Sequence, residues 1–327
     1  MVFASLKKIV SLRLLSLTLP LALCSTAFAV GSDSLARQVM GSDAPTFTND
    51  NLRPWPYGPA ASNSTDNRQP IPSKPYVSEL PNVGSTGVIV YDILSDKVVF
   101  EKSPDVARPI ASVSKLLTAM VILDAEQPMD EFITMESVDF IGPKRASSKL
   151  RTGDRLNRAE LLLATLMKSE NPAAKSLARH YPGGYDAFMR AMNQKAQSLG
   201  MSSAFFGDPT GLDKRNQSSP RDLVKMVKAA GEYDVIRAFS TTKSYPFKTG
   251  GRDLTLSNTS YLVRNGVFDI NISKTGFINE AGRCVVMETQ VYGRPSIVVI
   301  LGARSSAVRW SDAENLIHWL ERKNQVT

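Results

Sequence analysis

Histidine and cysteine each occur only twice in these 327 residues. His180 and His318 are far apart and show no paired ligand spacing, which excludes a histidine-built metal centre and speaks against a metallopeptidase. Of Cys24 and Cys284, the first falls in an N-terminal segment expected to be removed, so Cys284 is left without an intrachain disulfide partner. There is no internal repeat and no collagen-like bias, and the apolar run near the N-terminus is too short to span a bilayer. With 43% hydrophobic and 21% charged residues the chain can bury a full core, as one large or two small globular units. A formal charge of +8 suits acidic polymers in general, and nothing in its pattern points to nucleic acid.

The first segment reads as an export signal rather than part of the fold. Lys7, Lys8 and Arg13 precede the apolar stretch Leu14–Leu23, and Ala27-Phe28-Ala29 supplies a small-x-small cleavage pattern before Val30. A signal peptide is expected over residues 1–29, and its removal takes the formal charge from +8 to +5 because the segment holds three basic and no acidic residues. Leu23 stands where a lipoprotein signal needs a small residue, which argues against lipidation of Cys24. Over residues 30–80, Pro45, Pro54, Pro56, Pro59, Pro70, Pro72 and Pro75 sit among Ser, Asn and Gly without period, the composition of a tether. Trp55 and Tyr57 are its candidates for docking onto a partner or the domain.

Folded structure is expected from about residue 81. Val88–Tyr91 and Lys97–Phe100 flank Ser95-Asp96 as a hairpin. Pro109-Ile110-Ala111 leads into an apolar stretch, Ser112 to Leu123, that reads as a buried helix with Ser112 in its first turn and Lys115 on the same face. Helical periodicity continues to about residue 230, with Ala159–Met167 and, opened by Pro172, Ala173–Ala178. Strands return at Phe268–Ile272, Cys284–Val291 and Ser296–Leu301, and a last helix over Ala307–Arg322 carries Trp310, Leu316, Ile317 and Leu320 as its apolar stripe. Strands at both ends with helices between them predict an α+β domain over residues 81–327, with one sheet built from both chain ends and a helical insertion at about 120–235.

Three short runs carry the chemistry. Ser112-Val113-Ser114-Lys115 offers a nucleophile and a base, Ser169-Glu170-Asn171 a proton-relaying hydroxyl and an amide, and Lys274-Thr275-Gly276 a cationic clamp for a carboxylate. Together they amount to an acyl-transfer site without histidine. Each run alone is weak, because S-x-x-K recurs at Ser5 and Ser240 and K-T-G at Lys248. The pair at Ser240 and Lys248 is rejected: its members are too close, no S-x-N lies between them, and Pro246 with Gly250-Gly251 is expected to break any strand. Lys274, in contrast, is expected to close an alternating strand at the edge of a cleft.

The surrounding text resembles the serine D,D-peptidases of the D-alanyl-D-alanine carboxypeptidase and endopeptidase family. Ile110-Ala-Ser-Val-Ser-Lys, Leu166-Met-Lys-Ser-Glu-Asn, Asp208-Pro-Thr-Gly-Leu-Asp with a trailing Asn216, and Ser273-Lys-Thr-Gly-Phe-Ile-Asn-Glu-Ala-Gly-Arg-Cys all look like that family's signatures, over roughly residues 84 to 325. Lys168 and Pro172 depart from the small or polar residues expected around the second motif, without removing a catalytic group. The resemblance implies a serine β-lactamase/D,D-peptidase-like fold with an antiparallel sheet. It further implies Ser112 as nucleophile, Lys115 as its base, Ser169 as proton relay and Asn171 as the group holding Lys115 and the substrate amide. Lys274 and Thr275 would bind the carboxylate after the scissile bond, with Gly276 beside them and the N–H groups of Ser112 and Phe277 forming the oxyanion hole. Burial and the charge of Lys274 are both expected to depress the Lys115 pKa.

By this resemblance the partners are peptidoglycan stem peptides and cross-links, with β-lactam antibiotics as covalent inhibitors, and neither metal, cofactor, nucleic acid nor stable membrane anchor is implied. Only 51 residues follow Gly276, which favours the short endopeptidase type that cuts D-alanyl to meso-diaminopimelate cross-links in the periplasm. A D-alanyl-D-alanine carboxypeptidase trimming pentapeptide stems and a non-catalytic wall-binding module are the alternatives. A β-lactamase is disfavoured because no E-x-x-L-N pattern follows the second motif to position a deacylating base.

Overall fold

The structure is a computed structural model that describes residues 80–324. The signal peptide and, Leu80 apart, the tether expected over residues 30–80 lie outside the described residues. The chain enters as a hairpin of β1 (Gly87–Asp92) and β2 (Lys97–Lys102), then passes the two-residue strand β3 (Arg108–Pro109). A 3₁₀ turn over Ala111–Ser114 runs directly into helix α1 (Lys115–Asp124). A small hairpin, β4 (Phe132–Thr134) with β5 (Arg155–Asn157), precedes α2 (Arg158–Leu163), whose Asn157 cap accepts from the Glu160 N–H in a reciprocal capping box. Next come α3 (Asn171–Arg179), α4 (Gly184–Ser198), β6 (Gln217–Ser218, paired with β3), α5 (Pro220–Ala230) and α6 (Asp234–Thr241). After the hairpin of β7 (Ser244–Lys248) and β8 (Asp253–Ser257) and the short α7 (Tyr261–Asn265), three long strands follow: β9 (Asp269–Ile278), β10 (Gly282–Val291) and β11 (Arg294–Ala303). Helix α8 (Ser306–Asn324) ends the described chain.

The main sheet has the order β2-β1-β11-β10-β9 and is antiparallel throughout, so strands from both chain ends meet at the β1–β11 pair. Its central strands are apolar on both faces because both faces are covered. Val88, Val90, Val285, Met287, Val298 and Ile300 pack against Leu316, Ile317 and Leu320 of α8. The alternate residues, Ile89, Val286, Ile297, Val299 and Leu301, face the helical half of the molecule and share its core with Ile110, Leu116 and Met120. This period-2 division of one strand between two cores is what makes β10 and β11 read as continuous hydrophobic runs.

The α+β architecture, the hairpin, the three late strands and the last helix agree with the sequence reading. Three details differ. The helical region is interrupted by β4, β5 and a 3₁₀ turn at Ser137–Phe140, where polar residues and glycine break the helical period. Lys274 does not close its strand but lies inside β9, which continues to Ile278. Pro246 does not prevent a strand: it sits in β7 opposite Thr255, in a two-stranded hairpin whose outer edges need no ladder hydrogen bond.

Candidate active site

Ser112 is presented by backbone that local propensity would not choose. Ala111, just before it, is fully buried with φ +49°, a left-handed conformation that costs an alanine about 1–2 kcal/mol. The 3₁₀ turn then places the half-buried Ser112 above Lys115, the first residue of α1. Lys115 has no exposed surface, and its Nζ donates to three oxygens: Ser112 Oγ at 2.9 Å, Asn171 Oδ1 at 2.7 Å and the Thr210 carbonyl at 2.6 Å. Ser112 Oγ itself donates to the Thr210 carbonyl at 3.2 Å. Burial pushes the Lys115 pKa down from 10.5 to about 7, against the opposing pull of the Asp208 and Glu170 carboxylates. An amine that is half neutral near pH 7 and lies within hydrogen-bond reach of a serine hydroxyl has the geometry and basicity of a general base.

The second motif follows a π turn, Ala164–Lys168, an irregularity frequent at functional sites. Ser169 ends that turn with φ +65°, which redirects the chain so that Asn171 can begin α3 with Pro172 in its first turn. Ser169 Oγ thereby meets Lys274 Nζ at 2.8 Å across 105 residues of sequence. Glu170, between them, turns away into the protein, accepting from Ser148 Oγ at 2.5 Å and the Lys149 N–H at 3.3 Å, and burial raises its pKa. Lys274 is also buried; burial first, then the charges of Lys115 and of Arg309, hold it well below an ordinary lysine. Arg309 is itself pushed down to about 10 by burial, with its Nη1 on the Cys284 carbonyl at 3.3 Å.

β9 brings the third motif against the nucleophile. A Cβ at Gly276 would lie 2.9 Å from the Ile110 carbonyl and 3.0 Å from the Ser112 nitrogen, so only glycine allows this strand so close to the serine turn. Thr275 Oγ1 is fixed to Thr259 Oγ1 at 2.7 Å, and Phe277 is half-exposed at the rim of the cleft.

A fourth segment, 208–216, holds the floor. Asn216, fully buried, accepts from the N–H groups of Gly207 at 2.8 Å and Asp208 at 3.1 Å, and its Nδ2 donates to Ser114 Oγ at 2.9 Å and the Asp208 carbonyl at 2.8 Å. Asp208 accepts from the Thr210 hydroxyl and, at 2.8 Å, from the Gly211 N–H. Thr118 on α1 donates to the Pro209 carbonyl at 2.7 Å. These bonds fix the Thr210 carbonyl, and with it the positions of Lys115 and Ser112.

The structure brings all eight residues singled out in the sequence, Ser112, Lys115, Ser169, Asn171, Lys274, Thr275, Gly276 and Phe277, into one neighbourhood around Ser112 and Lys274. Missing from that reading were the roles of Thr210, Asp208, Asn216 and Thr259. The Asp208-Pro-Thr-Gly-Leu-Asp text was visible, but no reactive group in it announced that a backbone carbonyl was the working part. Of the two expected causes of the low Lys115 pKa, burial is the dominant one, and the charge of Lys115 is among the causes that hold Lys274 low. The rejected Ser240 is a buried framework residue, its Oγ accepting from the Ser273 N–H at 3.4 Å. Cys284 is a buried free thiol that burial pushes up to about 11, which removes it from nucleophilic chemistry.

Comparison with known proteins agrees with the geometry. A D-alanyl-D-alanine endopeptidase of Escherichia coli is 42% identical over 243 residues, covering 74% of this chain and 78% of that protein. A Pseudomonas aeruginosa protein of the same name is 40% identical over 247 residues, covering 75% and 79%. Among solved structures, the Streptomyces DD-transpeptidase superposes with a TM-score of 0.68 at 26% identity, covering 73% of this chain and 97% of that one. Residues 74–305 match the D-alanyl-D-alanine carboxypeptidase family, and this chain belongs to it.

Proposed function

We propose that the protein is a serine D,D-endopeptidase that hydrolyses D-alanyl to meso-diaminopimelate cross-links of peptidoglycan through an acyl-enzyme. The observation that carries the reading is the buried Lys115 amine, poised near pH 7 and 2.9 Å from Ser112 Oγ. Ser112 Oγ adds to the D-alanyl carbonyl carbon while its proton passes to neutral Lys115. The oxyanion is met by the backbone N–H groups of Ser112 and Phe277; losing one such donor costs about 3 kcal/mol in known hydrolases. As the C–N bond breaks, the leaving amine takes a proton through Ser169, and water later releases the acyl group. Asn171 holds Lys115 and the substrate amide in register. Lys274 and Thr275 take the carboxylate that follows the scissile bond. That carboxylate would also be a counter-charge for Lys274: burial first, then the charges of Lys115 and Arg309, hold the lysine low, and an arriving anion restores its proton.

The family's affinity for β-lactams follows from the same site, since a strained cyclic amide with an adjacent carboxylate fits both the nucleophile and the clamp. The same reading assigns the enzyme to the periplasm after cleavage near Ala29; among the described residues no helix is long and apolar enough to cross a membrane.

The deciding experiment is mass spectrometry of products from defined cross-linked dimers and from monomeric pentapeptides. Cleavage of dimers to monomers is expected, whereas loss of one D-alanine from pentapeptides with dimers left intact establishes the carboxypeptidase alternative instead. The base assignment has its own signature. Because only unprotonated Lys115 accepts the proton, the rate of Ser112 labelling by a fluorescent penicillin should rise with pH through about 7 and level off above it. Below that value it should fall about tenfold per pH unit. A rate independent of pH between 6 and 8 would remove Lys115 from the role of base.

A further inference from the structure

The direction of the substrate along β9 follows from where its two ends are held. In the function proposed above, on which this inference rests, the carboxylate after the scissile bond lies at Lys274 and Thr275, and the carbonyl before it faces the N–H of Phe277. The peptide therefore runs antiparallel to β9, and the residues that precede the D-alanyl group pass Phe277 toward the turn between Ile278 and Gly282. A groove of about 510 Å³ opens there, with Phe277, this turn, Arg108 and Arg304 in its lining.

The groove is electropositive and its cations are available. Arg304, just past the end of β11, is exposed, and neither it nor Arg108 has a carboxylate partner among the described residues. Arg108 is pre-positioned: its Nη1 donates to Thr86 Oγ1 at 2.6 Å, and its guanidinium carbon would lie 3.2 Å from a Cβ at Gly87. The acid among the lining residues, Glu280, is already paired with Lys144, which holds its carboxyl below the usual range with help from the charge of Lys214. Phe277 is braced as a wall by Arg283, whose guanidinium carbon stands 3.9 Å from the ring centroid.

We propose that this groove is the acyl-donor subsite, in which Arg304, with Arg108 beside it, pairs with a free carboxylate on the peptide preceding the D-alanyl residue. Guanidinium groups suit that task because their forked N–H donors match a carboxylate in two-point contact. The chemistry of the proposed substrate supplies the partner, since a stem built on a diamino diacid keeps a carboxylate free when its other carboxyl is in the chain. The nucleophile would then select anionic donor stems by position rather than by reactivity.

The test uses the full protein and two synthetic substrates that differ only in whether the donor-side carboxylate is free or amidated. The unmodified protein is expected to prefer the free acid by about tenfold in kcat/KM, the scale of one charged hydrogen bond, with the difference in KM. In Arg304→Ala that ratio should collapse toward one, and Arg304→Lys should restore part of it. Equal handling of the two substrates by the unmodified protein, or an unchanged ratio in Arg304→Ala, overturns the subsite. Penicillin labelling of Ser112, which does not involve this carboxylate, reports separately whether the acyl-transfer reading holds.

Discussion

Replacing Ser112 with alanine is expected to abolish both cross-link cleavage and covalent labelling by penicillin, with turnover falling by about 10⁶-fold, the scale seen when a serine peptidase loses its nucleophile. The loss should be chemical rather than structural. Among the described residues Ser112 Oγ bonds Lys115 and the Thr210 carbonyl, and Lys115 keeps Asn171 and Thr210 as partners when the hydroxyl is gone. The variant should therefore melt close to the parent protein while remaining unlabelled on a fluorescence gel. Purified Ser112→Ala protein that still cut cross-linked muropeptides would overturn the assignment and give weight to a different nucleophile.

Gly211→Ala is expected to damage the site from underneath. Gly211 has φ +82°, and a Cβ there would lie 2.0 Å from the Ala111 carbonyl oxygen and 2.7 Å from the Ser112 nitrogen. The left-handed backbone alone costs a non-glycine residue about 1–2 kcal/mol, and the overlap is with main chain, which has no rotamer by which to escape. Relief requires the serine turn and the 208–216 segment to part by on the order of 1 Å, a misplacement worth about 10²-fold in rate. Penicillin labelling should slow by that factor and the melting temperature should drop. A variant that acylates at the parental rate would show that the Ala111–Ser112 turn is not positioned by this contact.

The two expected results differ in how far each was legible. Ser112 could be read directly because its reactivity depends on side-chain types at fixed separation: S-x-x-K puts the hydroxyl and amine on one helical face whatever surrounds them. Gly211 could be seen in the Asp208-Pro-Thr-Gly text but not interpreted, because what matters there is the approach of two backbones 100 residues apart. Pro246 shows the opposite failure. A local rule against proline in strands carries no information on pairing, and because β7 pairs on one side only, the hairpin forms regardless.

The electrostatics lay furthest from the sequence. The burial expected to depress Lys115 is its dominant cause, whereas the acids that moderate it sit at Asp208 and Glu170, residues with no evident link to it in the sequence. The sequence by itself determined the candidate reactive groups, the α+β order of elements and the family. Those are properties of residue type, spacing and period, which are written in one dimension. Only the tertiary structure decided that the Thr210 carbonyl anchors Lys115, that Lys274 meets Ser169, and that a groove with Arg108 and Arg304 in its lining lies beside Phe277. Each of these rests on distances between segments remote in sequence and on which charges lose water when the sheet and the helical half close together.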